Sequence, residues 1–566
     1  MGRAILSVAG ANENTCPGRM LGGGMTKPWF EHYGDEIPRE VDPGAYRNVV
    51  DMLLEAAEKY ADMPAYASFG GVLTYREARD RGRDFAAYLQ KRLGVNKGDR
   101  VAVMLPNMMA FPVAMQGILR AGAVQVNVNP LYTPRELEHQ LSDADVETIV
   151  VFAGSTPTLA KVIGDTPVKN VIVAQLDDFV DAGIPAAQVA EGLGRTVPMT
   201  DAVADGAGLD FEPPDIDGGD LIFLQYTGGT TGLSKGAMLT HSNLVANILQ
   251  FSAFAGPHID RGNEVIITAI PMYHIFALMV NALSYYHFGS TAVLITNPTD
   301  MPAFVAEWSR WPVTVFAGVN TLYNGLLHTP GFAELDFSKL RLAVGGGAPV
   351  QKAVSDKWKS ITGKHIKEGY GLSETSPVLT MNPFGMQEFL SSIGIPWPST
   401  EISLRDETGK EVATGEEGEL CARGPQVMKG YWRRDDATAE VMTEDGFFRT
   451  GDIAVMDANG FFRIVDRKKD MILVSGFNVY PNEIEAVVAA MEGVLECACI
   501  GVPDERSGEA VKLFVVKNDP DLSAEAVKAH CRAELTRYKV PRQIEFIDAL
   551  PKSTVGKILR RELRGR

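Results

Sequence analysis

Short apolar runs alternate with segments of helical spacing along most of this chain, and this alternation constrains the fold more than any other feature. In the first half, such runs predict the strands Asp99–Pro106, Ala123–Val128 and Thr148–Phe152. Met108–Ala121 has helical spacing. Thr133 opens another helix as its N-cap, with Pro134 at the first helical position and Glu136 completing a capping box. Strands and helices in this order are typical of doubly wound parallel sheets.

The same pattern returns further along the chain and then changes. Later apolar runs predict the strands Val265–Ile270, Ala292–Ile295, Val313–Ala317 and Leu340–Val344. Residues 400–465 carry turns such as Asp457–Gly460 between the short predicted strands Glu401–Arg405, Gly418–Arg423 and Phe461–Val465. We therefore expect an α/β protein whose large body contains two packed, mostly parallel sheet subdomains and a small β subdomain.

A highly charged segment, Asp466–Asp470, divides this body from a last region. Beyond it, Cys497–Val502 and Lys512–Lys517 predict strands, while Pro481 opens one helix and Ser523–Leu535 forms another. The region is long enough for a compact α+β domain. The predicted organisation is 1–24 as a disordered extension, 25–465 as the body, 466–470 as a hinge and 471–566 as the C-terminal domain.

Composition excludes some classes of function. The net charge of the 566-residue chain is −17, which argues against binding to nucleic acid. The five cysteines form no C-x-x-C pair, and we interpret Cys497 and Cys499 as buried thiols in a strand rather than zinc ligands. A reduced, cytoplasmic compartment fits this usage. No stretch reaches the roughly 18 apolar residues of a membrane span, so membrane contact would be peripheral, at the inner face of the cell membrane.

The segment Tyr226–Gly236 combines glycines, threonines and one lysine directly after the apolar run Leu221–Leu224. Glycine lets backbone N–H groups turn towards a ligand, and successive N–H groups form an anion-binding concavity. The spacing around Lys235 does not match a Walker A loop. We interpret the segment as a polyphosphate-binding loop, against the alternative of a flexible polar turn. Its candidate binding residues are Thr227, Gly228, Gly229, Thr230, Thr231, Gly232 and Lys235.

Further clusters follow predicted strands. The glycine run Val344–Pro349 suits a flat ring or a phosphate lying against the backbone, although a tight strand–helix turn uses glycine too. Glu368–Thr375 comes just past the predicted strand His365–Lys367. In it, Tyr370 offers a face for a purine and Glu374 a carboxylate for a hard cation, with a capped helix start as the alternative.

Two clusters lie nearer the C-terminus. Phe448–Asp452, with Arg467 downstream, offers a carboxylate of the kind that accepts ribose hydroxyls, although it is a plain turn otherwise. The basic segment Pro551–Arg564 places Lys557 between Gly556 and Ile558. That setting suits a lysine inserted into a site, against the alternative of a solvated basic tail.

Taken in this order, from Ser68 to Arg564, the clusters resemble the adenylate-forming enzymes, which include acyl-CoA synthetases, adenylation domains of peptide synthetases and beetle luciferases. The stretches Asn127–Glu138, Gln225–His241 and Val465–Glu485 are most similar to bacterial long-chain fatty-acid–CoA ligases. The resemblance implies an acid–thiol ligase. Such an enzyme converts a fatty acid and ATP to acyl-AMP and pyrophosphate, and then transfers the acyl group to coenzyme A.

The resemblance also implies roles for individual residues. The glycine-rich loop would hold the β- and γ-phosphates, and Thr227 and Glu374 would bind Mg²⁺. Asp452 and Arg467 would hold the ribose. Lys557 would bridge the carboxylate and the α-phosphate, and His274 would lie near the acyl carboxylate. Gly345, Gly346, Gly347, Ala348, Gly369 and Tyr370 would frame the adenine, and Gly371 and Ser373 are further candidates for binding the nucleotide.

In this family the small domain rotates between the two steps, so we expect a mobile C-terminal domain. Lys469 matches the pivot, and Val474–Asn478 matches the loop that lines the pantetheine tunnel, with Gly476 making room for it. The chain departs from the common pattern at Gly228, where many members have serine. It departs again at Ser234, where proline is frequent, and at Leu473, where lysine is frequent.

Several alternatives stay open at this point. The apolar stretch Ile275–Ala282 after His274 either lines an acyl tunnel or is simply a core helix. The acid is long-chain by resemblance, with a medium-chain or aryl acid as the alternative. The acyl acceptor is CoA or a carrier protein, and a lipid-binding protein without catalysis is a rival from another class. The oligomeric state is open, and a dimer is allowed.

Overall fold

The computed structural model of this protein describes residues 27–227, 234–504, 506–553 and 556–564. The strands of the large body are β1 Pro64–Ser68, β2 Gly71–Thr74, β3 Arg100–Met104, β4 Val124–Asn127, β5 Thr148–Phe152, β6 Asn170–Ala174, β7 Thr196–Pro198, β8 Leu221–Thr227, β9 Lys235–Thr240, β10 Val265–Thr268, β11 Thr291–Leu294, β12 Val315–Gly318, β13 Leu342–Gly345, β14 Ile366–Gly371, β15 Val378–Met381 and β16 Ile395–Pro396. The later strands are β17 Glu401–Arg405, β18 Glu417–Arg423, β19 Phe448–Met456, β20 Phe462–Arg467, β21 Ile472–Val474, β22 Phe477–Val479, β23 Val494–Asp504, β24 Gly508–Lys517 and β25 Gln543–Phe546.

The helices connect and cover these strands. The α-helices are α1 Val49–Lys59, α2 Tyr75–Leu93, α3 Ala110–Arg120, α4 Pro134–Asp143, α5 Thr156–Ala160, α6 Met199–Ala207, α7 His241–Ala255, α8 Ile275–Ala277, α9 Tyr285–His287, α10 Met301–Trp308, α11 Asn320–Leu327, α12 Lys352–Thr362, α13 Asp435–Val441, α14 Pro481–Ala489, α15 Ala524–Glu534 and α16 Arg560–Leu563. Short 3₁₀ turns occupy Pro28–His32, Ala153–Ser155, Ile163–Asp165, Gly256–His258 and Ser373–Thr375, and a π-helix occupies Leu278–Ser284.

Two large sheets form the body, as the alternating pattern predicts. The seven-stranded sheet has the order β7-β6-β5-β3-β4-β8-β9 and is parallel except for the β8–β9 hairpin at one edge. The nine-stranded sheet has the order β16-β15-β14-β13-β12-β10-β11-β1-β2, with parallel strands from β14 to β1 and antiparallel pairs at both edges. The α/β fold class expected from the sequence is therefore confirmed.

The two sheets share one continuous core. It includes Val101 and Val103 of β3, Ile266 of β10 and the helix α3, in which Ala110–Leu119 are all buried. A second core lies under α10, α11 and α12 on the far face of the nine-stranded sheet. A third lies under α4 and α5 on the far face of the seven-stranded sheet. The shared core between the two sheets therefore holds one sheet in a fixed position against the other, because a close-packed interior resists deformation.

Local sequence explains where several helices begin. Thr133 accepts from the backbone N–H of Glu136, whose carboxylate bonds back to the N-cap, so the predicted capping box is confirmed. Thr74 forms a capping box at α2 and Thr240 forms another at α7. Helix α7 directly follows β9, and this cap ends the β8–β9 hairpin that carries the glycine-rich segment.

One predicted boundary is wrong. The sequence pattern places the cluster at Glu368 just past a strand, but β14 continues to Gly371. The reason is tertiary, because Gly369 and Tyr370 pair with Met381 and Thr380 of the antiparallel neighbour β15. The glycines of this cluster thus lie in the strand itself, and Glu374 lies on the 3₁₀ turn that follows it.

The later strands form two smaller sheets. The antiparallel sheet β17-β18-β19-β20 is the β subdomain expected for residues 400–465. It continues two residues further than expected, since Asp466 and Arg467 end β20. The C-terminal sheet has the order β22-β21-β24-β23, with β25 beside β24 and with α14 and α15 packed on it. Cys497 and Cys499 are buried in β23, as predicted.

The basic C-terminal segment is packed in part rather than fully solvated. Leu563 is fully buried. The guanidinium of Arg560 donates to both carboxylate oxygens of Glu485, and Arg564 pairs with Asp470 at 2.7 Å. The alternative of a solvated basic tail therefore does not hold for Lys557, Arg560 and Leu563, while Lys552, Arg561 and Arg564 are exposed. None of the helices in the described ranges combines the length and the apolar character that a bilayer crossing needs.

Candidate active site

A pocket lies at the carboxyl ends of β12, β13 and β14. It encloses about 750 Å³, including its open mouth. Part of its lining is glycine-rich, comprising Gly345–Gly347, Gly369 and Gly371. Another part is apolar and aromatic, comprising Phe251, Ile275, Phe276, Val280, Tyr285, Met381 and Trp397. The pocket thus combines a surface for a flat polar group with a surface for a hydrocarbon.

Lys557 reaches into this pocket from the C-terminal domain. Thr321 of α11 donates its hydroxyl hydrogen to the carbonyl of Gly556 at 3.0 Å. Gly556 has φ +77°, and a Cβ there would lie 2.6 Å from the Thr321 hydroxyl, so the turn requires glycine. A Cβ on Gly347 would lie 3.1 Å from Lys557 Cε. The lysine is therefore placed directly against the glycine run.

The surroundings of Lys557 change its acidity. Burial and, after it, the charge of Arg467 lower the pKa of Lys557 to about 8, while Asp452 and Glu374 oppose this shift. The structure therefore brings together Lys557, Arg467, Asp452 and Glu374, which the sequence analysis singled out from separate clusters. A lysine with this pKa is still mostly protonated at neutral pH.

Asp452 and Tyr370 are joined by a hydrogen bond. Tyr370 donates its phenolic hydrogen to Asp452 Oδ2 at 2.5 Å. Arg467 Nε lies 3.4 Å from Asp452 Oδ1, because the two residues are paired across β19 and β20. The purine-stacking candidate and the ribose-binding candidates thus form one cluster beside the glycine run.

His274 lines the pocket as the N-cap of α8, directly before the lining residues Ile275 and Phe276. Its Nδ1 accepts a hydrogen bond from the Phe276 N–H at 3.3 Å. Burial and the nearby Lys557 lower the pKa of His274 to about 3, so the imidazole is neutral. Since Nδ1 is the acceptor, Nε2 carries the hydrogen and is available as a donor.

Side-chain amides hold the turn that carries His274. Asn107 Oδ1 accepts from the Met272 N–H at 2.8 Å. Gln225 Nε2 donates to the Tyr273 carbonyl at 2.9 Å. Gln225 lies on β8 directly before the glycine-rich segment, so the phosphate-loop strand and the histidine turn are fixed to each other. Sequence reasoning missed both amides, because nothing local marks a buried amide whose partners are distant in the chain.

The glycine-rich loop is described only at its two ends. Gly228, Gly229, Thr230, Thr231 and Gly232 lie outside the described residues. Thr227 and Lys235 are paired across the β8–β9 hairpin, and both strands pack against the 3₁₀ turn that carries Glu374.

Tyr431 is a site residue that sequence reasoning missed. Its hydroxyl donates to Glu374 Oε1 at 2.8 Å, and Lys235 Nζ lies 5.2 Å from the centroid of its ring. Nothing in the local sequence Gly430–Trp432 predicts that this tyrosine contacts Glu374 and Lys235. The contacts arise only because the chain after β18 returns to β9, where Tyr431 bridges Ala237.

Most of the residues expected to frame the adenine or otherwise bind the nucleotide line the pocket. They are Gly345, Gly346, Gly347, Gly369, Tyr370, Gly371 and Ser373, while Ala348 is absent from the described lining. Glu368 is paired with Gly345 at the start of the glycine run. Like Tyr431, it is a residue to which the sequence analysis assigned no role. It is buried, its Oε1 accepts from the Val350 N–H at 2.9 Å, and burial raises its pKa to about 8.

Lys469 and Gly476 are not among the described residues that line the pocket, although the charges of Arg467 and Asp452 act on Lys469. Lys469 follows the end of β20, and Gly476 lies in the turn between β21 and β22, where an added Cβ would meet no heavy atom within 4 Å. The side chains beside this turn are exposed, with Leu473 at 47% and Phe477 at 55%. In this arrangement Lys557, rather than the Gly476 turn, faces the body.

Known proteins share both the sequence motifs and this architecture. A family model described as AMP-binding enzyme matches residues 53–432, and one described as AMP-binding enzyme C-terminal domain matches residues 483–557. This chain belongs to the AMP-binding enzyme family. Similar proteins include a long-chain-fatty-acid–CoA ligase of Yersinia pestis, 54% identical over 95% of this chain and 98% of the relative. Another is the ligase of the same name from Escherichia coli O157:H7, 51% identical over the same shares.

Solved structures of AMP-binding enzymes have the same fold. The anthranilate CoA ligase AuaEII in complex with anthranoyl-AMP matches with a TM-score of 0.83 and 26% identity, covering 93% of this chain and 98% of that one. ATP-bound MatB from Rhodopseudomonas palustris matches with a TM-score of 0.79 and 30% identity, covering 92% and 98%. The expected family membership is confirmed.

The donor set of this AMP-binding enzyme suits a magnesium ion. The Glu374 carboxylate and the Thr227 hydroxyl are hard oxygen ligands, and their elements are in contact. Among the described residues there is no cluster of three or more His, Cys, Asp or Glu that would hold a metal without help. Magnesium is commonly bound by one or two carboxylates, with phosphate oxygens and water completing its coordination shell. One carboxylate and one hydroxyl from the protein are consistent with this coordination.

Proposed function

We propose that this AMP-binding enzyme activates a long-chain fatty acid with ATP and transfers the acyl group to coenzyme A. The observation that carries the proposal is the position of Lys557. It lies where the glycine-rich and the apolar parts of one pocket meet, beside Gly347 and within the field of Asp452 and Glu374. The names of relatives at 51% and 54% identity support the choice of acid and acceptor.

In the first step, a carboxylate oxygen of the acid forms a bond to the α-phosphorus of ATP. The bond from that phosphorus to the bridging oxygen breaks, and pyrophosphate leaves with the electron pair. Protonated Lys557 stabilises the negative charge that gathers between carboxylate and α-phosphate. Neutral His274 donates its Nε2 hydrogen to the carboxylate and orients it.

The other residues hold the nucleotide in place during this step. Tyr370 offers its ring to the adenine, and Asp452 accepts hydrogen bonds from the ribose hydroxyls. Lys235 attracts the β- and γ-phosphates. Glu374 and Thr227 would hold Mg²⁺, which supplies positive charge to the phosphates when it is bound.

The acyl chain occupies the apolar part of the pocket. Ile275 and Phe276 lie beside His274, and Val280 of the π-helix lies further along the same segment. The rings of Phe251 and Trp397 stack at 5.5 Å and close part of this space. Of the two alternatives for Ile275–Ala282, an acyl-lining role is favoured by these contacts. A π-helix at this place fits too, since such segments are frequent at functional sites.

In the second step, the thiol of CoA attacks the acyl carbon, loses its proton and displaces AMP. For this step we propose a rotation of the C-terminal domain about Lys469 that replaces Lys557 with the turn at Gly476. The boundaries 25–465, 466–470 and 471–566 belong to this proposal. Its basis is the sequence resemblance together with the exposed position of that turn.

Release of AMP that depends on both a fatty acid and CoA is the test of the proposal. A panel of acids of rising chain length should give the highest kcat/KM with long chains. Preference for an aryl or medium-chain acid would reject the long-chain assignment. Loading of a carrier protein with no reaction of free CoA would reject the acceptor. Absence of AMP with every acid would leave only a lipid-binding protein.

A cytoplasmic location, peripheral membrane contact and a dimer stay predictions. Two features favour membrane contact: a fatty-acid substrate that partitions into bilayers, and the basic segment Pro551–Arg564. The second is weakened because Arg560 and Arg564 form ion pairs with Glu485 and Asp470. Sedimentation of the protein with anionic vesicles, and its elution volume in size-exclusion chromatography, are the measurements that decide these points.

A further inference from the structure

The segment 428–432 connects the two halves of the phosphate site. At its start, the Met428 N–H donates to the carbonyl of Glu374 at 2.8 Å. At its end, the Trp432 N–H donates to the carbonyl of Gly236, the residue after Lys235, at 2.8 Å. The segment is thus hydrogen-bonded both to the turn of the metal-ligand candidate and to the strand of the phosphate-binding lysine.

Tyr431 points from this segment between the two charged side chains. It is 7% exposed and Glu374 is 8% exposed. The phenol donates to Glu374 Oε1 at 2.8 Å, and the opposite charge, Lys235 Nζ, lies 5.2 Å from the ring centroid.

We propose that Tyr431 is a positioning residue that separates Lys235 from Glu374 and keeps each available to its own part of MgATP. Among the described residues, the contact seen for the Lys235 ammonium is the Tyr431 ring, and the Glu374 carboxylate accepts from the Tyr431 hydroxyl. In a partly buried site a lysine and a carboxylate attract strongly. The phenol of Tyr431 interacts with the cation through its ring face and with the carboxylate through its hydroxyl, so neither charge needs the other. This inference rests on the proposed function, since it assumes that MgATP binds here.

Two substitutions separate the two contacts. Tyr431→Phe keeps the ring and removes the hydroxyl. It should raise the magnesium concentration needed for half-maximal ATP binding roughly tenfold, because outer-shell partners of metal ligands commonly contribute 10- to 100-fold in affinity. It should leave the binding of ATP without metal unchanged. Tyr431→Leu removes both contacts and should also weaken metal-free ATP binding, by roughly three- to tenfold. Isothermal titration calorimetry with ATP, in EDTA and in a magnesium series, measures both quantities without turnover.

A double substitution tests the separation itself. If Lys235 pairs with Glu374 once the ring is gone, then neutralising Glu374 must free the lysine. Tyr431→Leu combined with Glu374→Gln should therefore bind metal-free ATP as tightly as Glu374→Gln alone. Failure of this rescue, in a variant that unfolds at the same temperature as Glu374→Gln, overturns the separation. An unchanged magnesium requirement in Tyr431→Phe overturns the positioning of Glu374.

Tyr33→Phe is the matched control, because Tyr33 is another buried phenol, which does not line the pocket and whose hydroxyl donates to the Pro396 carbonyl at 2.7 Å. It should leave both ATP affinities unchanged. An equal effect of Tyr33→Phe on the magnesium series would show that general destabilisation explains the result.

Binding of MgATP by the wild type without AMP release from any fatty acid would reject the proposed function and leave the role of Tyr431 intact. Absence of ATP binding by the wild type would reject both.

Discussion

Tyr370 donates its phenolic hydrogen to Asp452 at 2.5 Å, although the two residues come from different sheets. Tyr370 lies on β14 of the nine-stranded sheet, and Asp452 lies on β19 of the small antiparallel sheet. The bond joins the ring proposed for the adenine to the carboxylate proposed for the ribose. A nucleotide therefore meets a site in which both groups are oriented before it binds, which reduces the entropy lost on binding.

Tyr370→Phe should raise the KM for ATP roughly tenfold with little change in kcat. The ring that stacks on adenine stays, while Asp452 loses a hydrogen bond to a charged group, which contributes about 1.5 kcal/mol or more. Initial rates at varied ATP give both constants. Tyr323→Phe is the control, since that buried phenol bonds to the Val344 carbonyl beneath the site. A lower kcat with an unchanged KM would contradict the assignment.

The first half-reaction should slow as the pH rises through about 8. The pKa of Lys557 is lowered to about 8, and the protonated form is the one that stabilises phosphate charge, so activity falls as that proton leaves. Lys557→Arg stays protonated at every pH tested and should lose this alkaline decline, at a lower overall rate. Single-turnover formation of acyl-AMP across neutral to alkaline pH is the measurement. The same decline in Lys557→Arg would show that another group titrates.

Lys557→Ala should reduce acyl-AMP formation by roughly 10²- to 10³-fold, the usual effect of removing one donor to transition-state charge. The same variant should still convert supplied acyl-AMP and CoA to thioester, because the lysine has no place in that step. Assaying the half-reactions separately distinguishes the two. An equal loss in both would refute the role of Lys557.

Gly476→Trp should spare acyl-AMP formation and block the attack of CoA. In this arrangement a Cβ at position 476 meets no atom within 4 Å, so the bulk is tolerated. The backbone at Gly476 has φ +83°, and a non-glycine residue there costs about 1–3 kcal/mol of stability. Gly409→Trp is the matched control, with φ +83° and equally open space. It should leave both half-reactions intact. Loss of adenylation in Gly476→Trp alone would disprove the tunnel assignment.

Val280→Phe should shift the preference of the enzyme towards fatty acids of shorter chain length. Val280 lines the apolar part of the pocket from the π-helix, and a benzyl group would take up volume needed by the distal carbons. A single methylene in an apolar pocket changes kcat/KM by roughly 10- to 200-fold, so the loss for long chains should be at least tenfold. Shorter acids and the KM for ATP should change little. A uniform loss across the panel would place the acyl chain elsewhere.

Local sequence predicted the elements that depend on local chemistry. The capping box at Thr133 forms as expected, and β5 occupies Thr148–Phe152 as predicted, since both follow from neighbours along the chain. The glycine run after β13 and the buried thiols of β23 follow from pattern as well. The end of β14 does not, because its last residues are held by β15 rather than by anything local.

The sequence by itself determined the alternation of strands and helices, the family resemblance and the residues that carry charge to the site. Only the tertiary structure decided which of those charges meet, and through which neutral groups. Tyr431 between Lys235 and Glu374, Gln225 under the His274 turn, and Lys557 against Gly347 all join residues far apart in the chain. Such contacts depend on how the two sheets and the C-terminal domain pack against each other. A local pattern of side chains does not predict which residues from distant parts of the chain come into contact.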